Sequence, residues 1–215
     1  AGRGEYRNEP ASASTLPGGP WLLDERGARF EAARDNEVAV VVEEQGPARV
    51  VIAATGWYCN PDAPEKRLCR FTSRITATPG SAMLRVSHQT YITYDTRFKQ
   101  LNDLAFHLPL SGMKDFELGA DGAAISGALP PPPQTVYLHQ DRHDRFRLVG
   151  VGDRAGRQSD GWFSVRRDAN APRPVLLLRD IWQKFPKEVE MARDGLTLHF
   201  WPAHGHEAFS REEEL

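Results

Sequence analysis

The residues of this chain best equipped for chemistry lie in one short turn, Asp180-Ile181-Trp182-Gln183-Lys184-Phe185-Pro186. An indole stacks on the apolar face of a pyranose, an amide bonds hydroxyls, and an ammonium pairs with a uronate carboxylate. Trp182, Gln183 and Lys184 thus supply the parts of an acidic-sugar subsite, the substrate-binding set the sequence suggests. The competing reading makes Trp182 and Phe185 packing anchors and leaves Gln183 and Lys184 in solvent. A second candidate is His88, which alternation places on the apolar face of a predicted strand; an imidazole there must either be satisfied by hydrogen bonds or line a pocket.

The other reactive residue types are less organised. His139 and His143 share HQDRH, and His204 and His206 share AHGH. Metal centres need three or four ligands in fixed geometry, and no further ligands accompany either pair, so no metal is expected. Cys59 and Cys69 flank the turn-rich NPDAPEKRL. They could face each other across a hairpin as a disulfide worth at most about 3 kcal/mol, sit as ordinary half-buried thiols, or form part of a metal pair lacking its other ligands. A bond would fit an extracytoplasmic or secreted protein. The chain has no P-loop, paired CxxC, HExxH, GxSxG or GxGxxG, so nucleotide, zinc-protease and serine-hydrolase readings lack support and no cofactor is expected.

The elements that must position these residues read as strands. VAVVVEE, the turn Gln45-Gly46-Pro47 and ARVVIAAT predict a hairpin, followed by LCRFTSRITAT and MLRVSHQTYITYD. In the last of these, Leu84, Val86, His88, Thr90, Ile92 and Tyr94 share one face, expected to be core, and Arg85, Ser87, Gln89, Tyr91 and Thr93 share the other. NDLAFHLPL is a further strand, and residues 111–133, rich in Gly and Ala and ending in four prolines, read as a spacer across the surface. TVYLHQ, FRLVGV, GWFSVRR, RPVLLLRDI, VEMAR and LTLHFWP complete the series, with VLLL at 175–178 expected to be a central strand buried on both faces. Residues 1–37 read as an entry segment in which only Trp21-Leu22-Leu23 and an Asp24-Glu25-Arg26-Gly27 turn suggest a short hairpin. The expected organisation is one antiparallel β-sandwich over 38–208, with a polar tail at 209–215.

The 215 residues are long enough to bury a core, and a net charge of −2 on 26% charged residues provides no general field for nucleic acid or an anionic membrane. No apolar run approaches a membrane span, and AGRGEYRNEP has neither initiator Met nor signal-peptide pattern; the chain reads as a soluble, processed or excised piece.

The order G-W-F-S-V, a long apolar strand into R-D-I-W-Q-K-F-P-K, then D-G-L-T-L-H-F-W-P resembles the central β-sandwich of the exo-rhamnogalacturonan lyase-like proteins. V-E-E-Q-G-P-A-R-V-V-I with T-G-W-Y, R-V-S-H-Q-T-Y, and N-D-L-A-F-H-L-P-L fit the same domain, so the resemblance covers most of residues 20–205. It implies an amino-terminal barrel and a carboxy-terminal α/α toroid as partner domains of one parent protein, with the glycan cleft between toroid and sandwich. The implied reaction is β-elimination on an acidic, pectin-type polysaccharide: a base takes the proton beside the uronate carboxyl, the resulting charge is stabilised, and an acid protonates the leaving oxygen. His88 and Lys184 are the positions to test for a catalytic part. With much of the catalytic set drawn from the toroid, the implication is a sandwich inactive alone, or a stand-alone relative whose function has drifted to carbohydrate binding or assembly.

Overall fold

The computed structural model describes residues 17–204. The strands in chain order are β1 (Gly19–Asp24), β2 (Arg29–Glu31), β3 (Ala39–Gln45), β4 (Val50–Cys59), β5 (Arg67–Ala77), β6 (Leu84–Tyr91), β7 (Leu101–Pro109), β8 (Asp115–Ala120), β9 (Ala123–Ala128), β10 (Val136–Arg142), β11 (Arg145–Val149), β12 (Arg154–Gly156), β13 (Ser159–Arg166), β14 (Val175–Leu177), β15 (Lys187–Ala192) and β16 (Gly195–Trp201). The fold is an all-β antiparallel sandwich, with a sheet of twelve strands and a second of four, as alternation and punctuation predict. The chain's contacts divide it into two compact units, one of residues 108–185 and 189–197 and one of 18–107, 186–188 and 198–204.

In the second of these units the strand path is β7-β1-β2-β4-β5-β6, with β3 paired to β4. The predicted VAVVVEE and ARVVIAAT hairpin forms as β3 and β4 around Gln45-Gly46. Residues 19–31 do more than enter the fold: Trp21-Leu22-Leu23 is a strand hydrogen-bonded on both sides, to β2 and β7. Leu22, Phe30 and Ala32 join Tyr58, Leu68, Cys69, Phe71 and Leu101 in one core cluster. Gly19, Pro20 and Gly27, which made this segment look peripheral, sit at the start of β1 and in the β1–β2 turn.

The two cysteines are free and buried, as ordinary thiols and without a crosslink. The β4–β5 register shifts between Trp57 and Tyr58, so Cys59 faces Arg67, and Cys69 falls in a bulge with φ 57°. Burial pushes the Cys69 thiol up to about 11, which keeps it protonated. The lean towards an extracytoplasmic compartment therefore draws no support from a disulfide.

In the other unit, residues 111–133 are not a spacer. They contain β8 and β9, a hairpin turning at Asp121-Gly122, where φ is 52° and 74°. Positive φ at both central residues suits the right-handed twist of a hairpin, and Asp-Gly is a favoured pair there. The small residues that suggested a linker have a packing reason: the ring of Phe116 lies against Gly127 and the indole of Trp162 lies against Gly119, where a methyl group would collide with each. β8 and β9 join β13 and β14 in the order β14-β13-β8-β9. This puts VLLL at the sheet edge rather than its centre, with Val175 and Leu177 more than half exposed.

Alternation on β8 and β13 is interrupted only at Gly119, under Trp162, and at Ser164, both buried on the outer face. Phe116, Leu118, Ala120, Phe163 and Val165 are buried, while Asp115, Glu117, Trp162 and Arg166 take the outer face. Gln140 of β10, wholly buried, links the two sheets: its Oε1 accepts from Ser159 N at 2.8 Å, and its Nε2 donates to the carbonyls of Arg142, Arg145 and Arg157. A buried amide with donor and acceptor groups both satisfied fixes register where an unpaired one would cost about 1–3 kcal/mol.

Candidate functional site

The Asp180–Lys184 turn is built by backbone chemistry before its side chains matter. Gly161, at φ 79°, lets the chain approach Leu178 so closely that a side chain at 161 would strike the Leu178 carbonyl. Leu178 N donates to Gly161 O at 2.7 Å, tying the approach to the turn onto the start of β13. Asp180 takes φ 59°, and its carbonyl accepts Lys184 N at 3.0 Å. Ile181 points inward and is 2% exposed, so it anchors the turn. Phe185, one of the two anchors the packing reading named, is 44% exposed and meets the His143 ring, 6.3 Å between centroids.

Trp182 and Gln183 line a cleft of about 290 Å³, together with Gln158, Asp160, Arg179 and Asp180. Lys184 is exposed and lies outside this lining; its Nζ pairs with Asp180 at 3.3 Å. The cation that opens to solvent beside the indole is Arg179, whose side chain is 91% exposed with Nε 3.6 Å from the same carboxylate. Sequence reasoning missed Arg179, an ordinary surface residue type in the same run as Trp182, and Asp160, which only the Gly161–Leu178 approach brings beside the turn. The Arg-Asp-Ile-Trp-Gln run held the only signal. The cleft thus offers a ring to stack on, two amides, a guanidinium and two carboxylates, a set that bonds sugar hydroxyls and presents one cation to a carboxylate.

His88 belongs to the other unit. Its Nδ1 meets Ser73 Oγ at 2.7 Å and its Nε2 meets the Tyr58 hydroxyl at 2.6 Å, with Thr90 Oγ1 at 3.3 Å. The ring stacks on Phe71 and stands edge-on to Tyr58. Burial lowers its pKa to about 4, so at neutral pH the imidazole is uncharged, one nitrogen donating and the other accepting. Burial likewise pushes the Tyr58 hydroxyl well above its ordinary value. His88 is thus a half-buried histidine with both ring nitrogens hydrogen-bonded, closer to the simpler of the two readings. The strand face on which it lies is only partly core: β6 ends at Tyr91, and Leu84 and Val86 on the same face are exposed, because β6 is the last strand of its sheet.

The remaining histidines separate. His139 is buried in β10, and His143 is exposed in the turn that follows. Nδ1 of His204 bonds Glu188 at 2.8 Å, which raises the imidazole pKa; His206 lies outside the described residues. A second histidine–carboxylate pair that the sequence did not suggest is His199 Nδ1 with Asp103, 2.9 Å to both oxygens and buried beside Trp21. No group of three or more metal-ligating side chains occurs among the described residues, and no helix among them is long and apolar enough to cross a membrane. Comparison of the chain with protein-family models, curated proteins and solved structures finds no match.

Proposed function

We propose that this chain is the glycan-contacting β-sandwich of a polysaccharide lyase-like protein, binding acidic, pectin-type chains through the Asp180–Lys184 turn and catalysing nothing alone. The observation that carries the binding half is the single cleft shared by Trp182, Gln183, Arg179 and Asp160. Within this reading Trp182 stacks on a pyranose, Gln183 and Asp160 hold its hydroxyls, and Arg179 takes the uronate carboxylate first assigned to Lys184. The resemblance to exo-rhamnogalacturonan lyase-like proteins supports the substrate class.

The absence of autonomous chemistry follows from what β-elimination needs. A base must reach the proton beside the carboxyl while a second group protonates the departing oxygen. Both nitrogens of His88 are held by Ser73 and Tyr58, and the Lys184 ammonium is paired with Asp180. On this reading the catalytic set comes from the partner domains of a secreted parent protein. Incubating the chain with rhamnogalacturonan or polygalacturonate and following ultraviolet absorbance of unsaturated uronate tests it: no turnover is expected, and steady turnover would overturn the inactive reading.

A second reading, a structural or assembly module, is favoured by a different observation. Val42, Ile52, Ile75 and Val86 form one cross-strand row over β3, β4, β5 and β6, and all four are at least 40% exposed. Val40 and Leu84, on the same face, are exposed as well. A contiguous patch of this kind, on the order of several hundred Å², marks association surfaces. It predicts self-association that rises with concentration, measurable by sedimentation velocity; a monomer at all concentrations would count against it.

A further inference from the structure

The outer face of the four-stranded sheet carries a larger cleft, about 520 Å³, that the turn does not explain. The register sets its residues in rows. Arg166 stands beside Asp115, and Ser164 beside Glu117, which in turn stands beside Ser126. Arg166 pairs with Asp115 at 3.4 Å, and Arg173 reaches in from the β13–β14 loop to pair with Glu117. Two guanidinium groups and two carboxylates therefore cancel, and the cleft has no net charge to recruit an ion. Yet its polar groups are not all used: Nε of Arg166 is buried and has no hydrogen-bond partner among the described residues. A buried donor without an acceptor is costly, and a shift of the partly exposed Arg166 guanidinium towards a ligand oxygen in the cleft would satisfy it.

One residue pair further along β13, the same face turns apolar. Trp162 lies across Gly119, half-buried, and its partner on β14 is the exposed Leu177; Val175 stands beside Ser164. The surface is thus an apolar strip running into alternating donors and acceptors. A pyranose has the same division, with one face of C–H groups and a rim of hydroxyls. Paired guanidinium and carboxylate groups bond vicinal hydroxyls without favouring a charged substituent.

We infer that the outer face of the β14-β13-β8-β9 sheet is a second glycan site, which stacks an uncharged oligosaccharide on Trp162 and reads its hydroxyls with Arg166, Glu117 and Ser126. The inference does not rest on the turn, whose proposed ligand is acidic.

Calorimetric titration of the whole chain with uncharged β-1,4-linked gluco-, galacto- and mannohexasaccharides, beside a galacturonate oligosaccharide, tests it. At least one uncharged hexasaccharide binds, and Trp162→Ala weakens that binding at least about tenfold, as loss of a central aromatic contact does. Gly119→Ala, which displaces the indole while leaving every polar group in place, acts in the same direction and decides the matter should Trp162→Ala fold poorly. Trp182→Ala leaves uncharged-sugar binding unchanged, so failure of the turn and failure of the sheet face are told apart. Binding of no uncharged hexasaccharide, or wild-type affinity in both Trp162→Ala and Gly119→Ala, would overturn the inference; so would binding of a protein partner alone at this face.

Discussion

Two four-stranded stretches of this molecule share a construction and differ in what they show to solvent. Along β3, β4, β5 and β6 the row Val42-Ile52-Ile75-Val86 is apolar and open. Along β14, β13, β8 and β9 the outward residues are Trp162 and a set of paired ions, with exposed Val175 and Leu177 confined to the edge strand, while Phe116, Leu118, Phe163 and Val165 are buried beneath. Strand formation needs only a pleat and a suitable alternation, so both sequences make sheets equally well. What distinguishes them is the cost of leaving the outer face wet. The ion-paired face is at ease in water, whereas the Val and Ile face gains by being covered.

The sharpest way to break the comparison is to delete matched apolar groups on each side. Leu118→Ala removes a fully buried side chain of β8 and is expected to cost about 2–5 kcal/mol in chemical denaturation. Val86→Ala, on the open face of β6, is expected to stay within about 0.5 kcal/mol. Equal losses would mean that the β3–β6 face is covered after all. Next in size is association: Val42→Lys with Val86→Lys should abolish any concentration-dependent self-association seen by sedimentation, while Leu177→Lys on the other sheet should leave it intact.

Smaller effects come from protons. His88 titrates at about 4 in the fold and near 6.5 in an unfolded chain, so between these values the unfolded state takes up a proton that the folded state refuses. Stability is therefore unaffected above about pH 6.5, falls as pH drops towards 4, and loses nothing more from this group below that. His88→Gln should flatten that part of a melting-temperature profile. The sign is opposite for His204, whose pKa is raised by its bond to Glu188. Its contribution is fully present below the unfolded pKa and fades as pH rises through the raised folded value, so His204→Gln should lower the melting temperature at pH 5.5 by more than at pH 8.5.

Much of this architecture was legible in the sequence, because alternation and turn chemistry are local. The β3–β4 hairpin around Gln45-Gly46, and the strands around GWFSVRR and LTLHFWP, needed nothing else. The β8–β9 hairpin was hidden because Gly119 and Gly127 look like linker residues until Trp162 and Phe116 are seen lying over them. VLLL looked central because a run of apolar residues carries no record of which neighbours its strand acquires. At the turn, Trp182 and Gln183 could be named from residue type and Arg179 stood unremarked in the same run, but Asp160 enters the cleft only through the Gly161–Leu178 approach, a contact that local patterning does not record. The face of His88 was readable by parity; its place near a sheet edge, which leaves Leu84 and Val86 bare, was not.

The central claim, that the Asp180–Lys184 turn contacts an acidic glycan, is tested most directly by calorimetry of the chain against rhamnogalacturonan and polygalacturonate oligosaccharides, with Trp182→Ala and Arg179→Gln in parallel. The account predicts saturable binding that Trp182→Ala removes and that Arg179→Gln weakens. Binding that survives Trp182→Ala unchanged, or no binding to any acidic oligosaccharide, would contradict it.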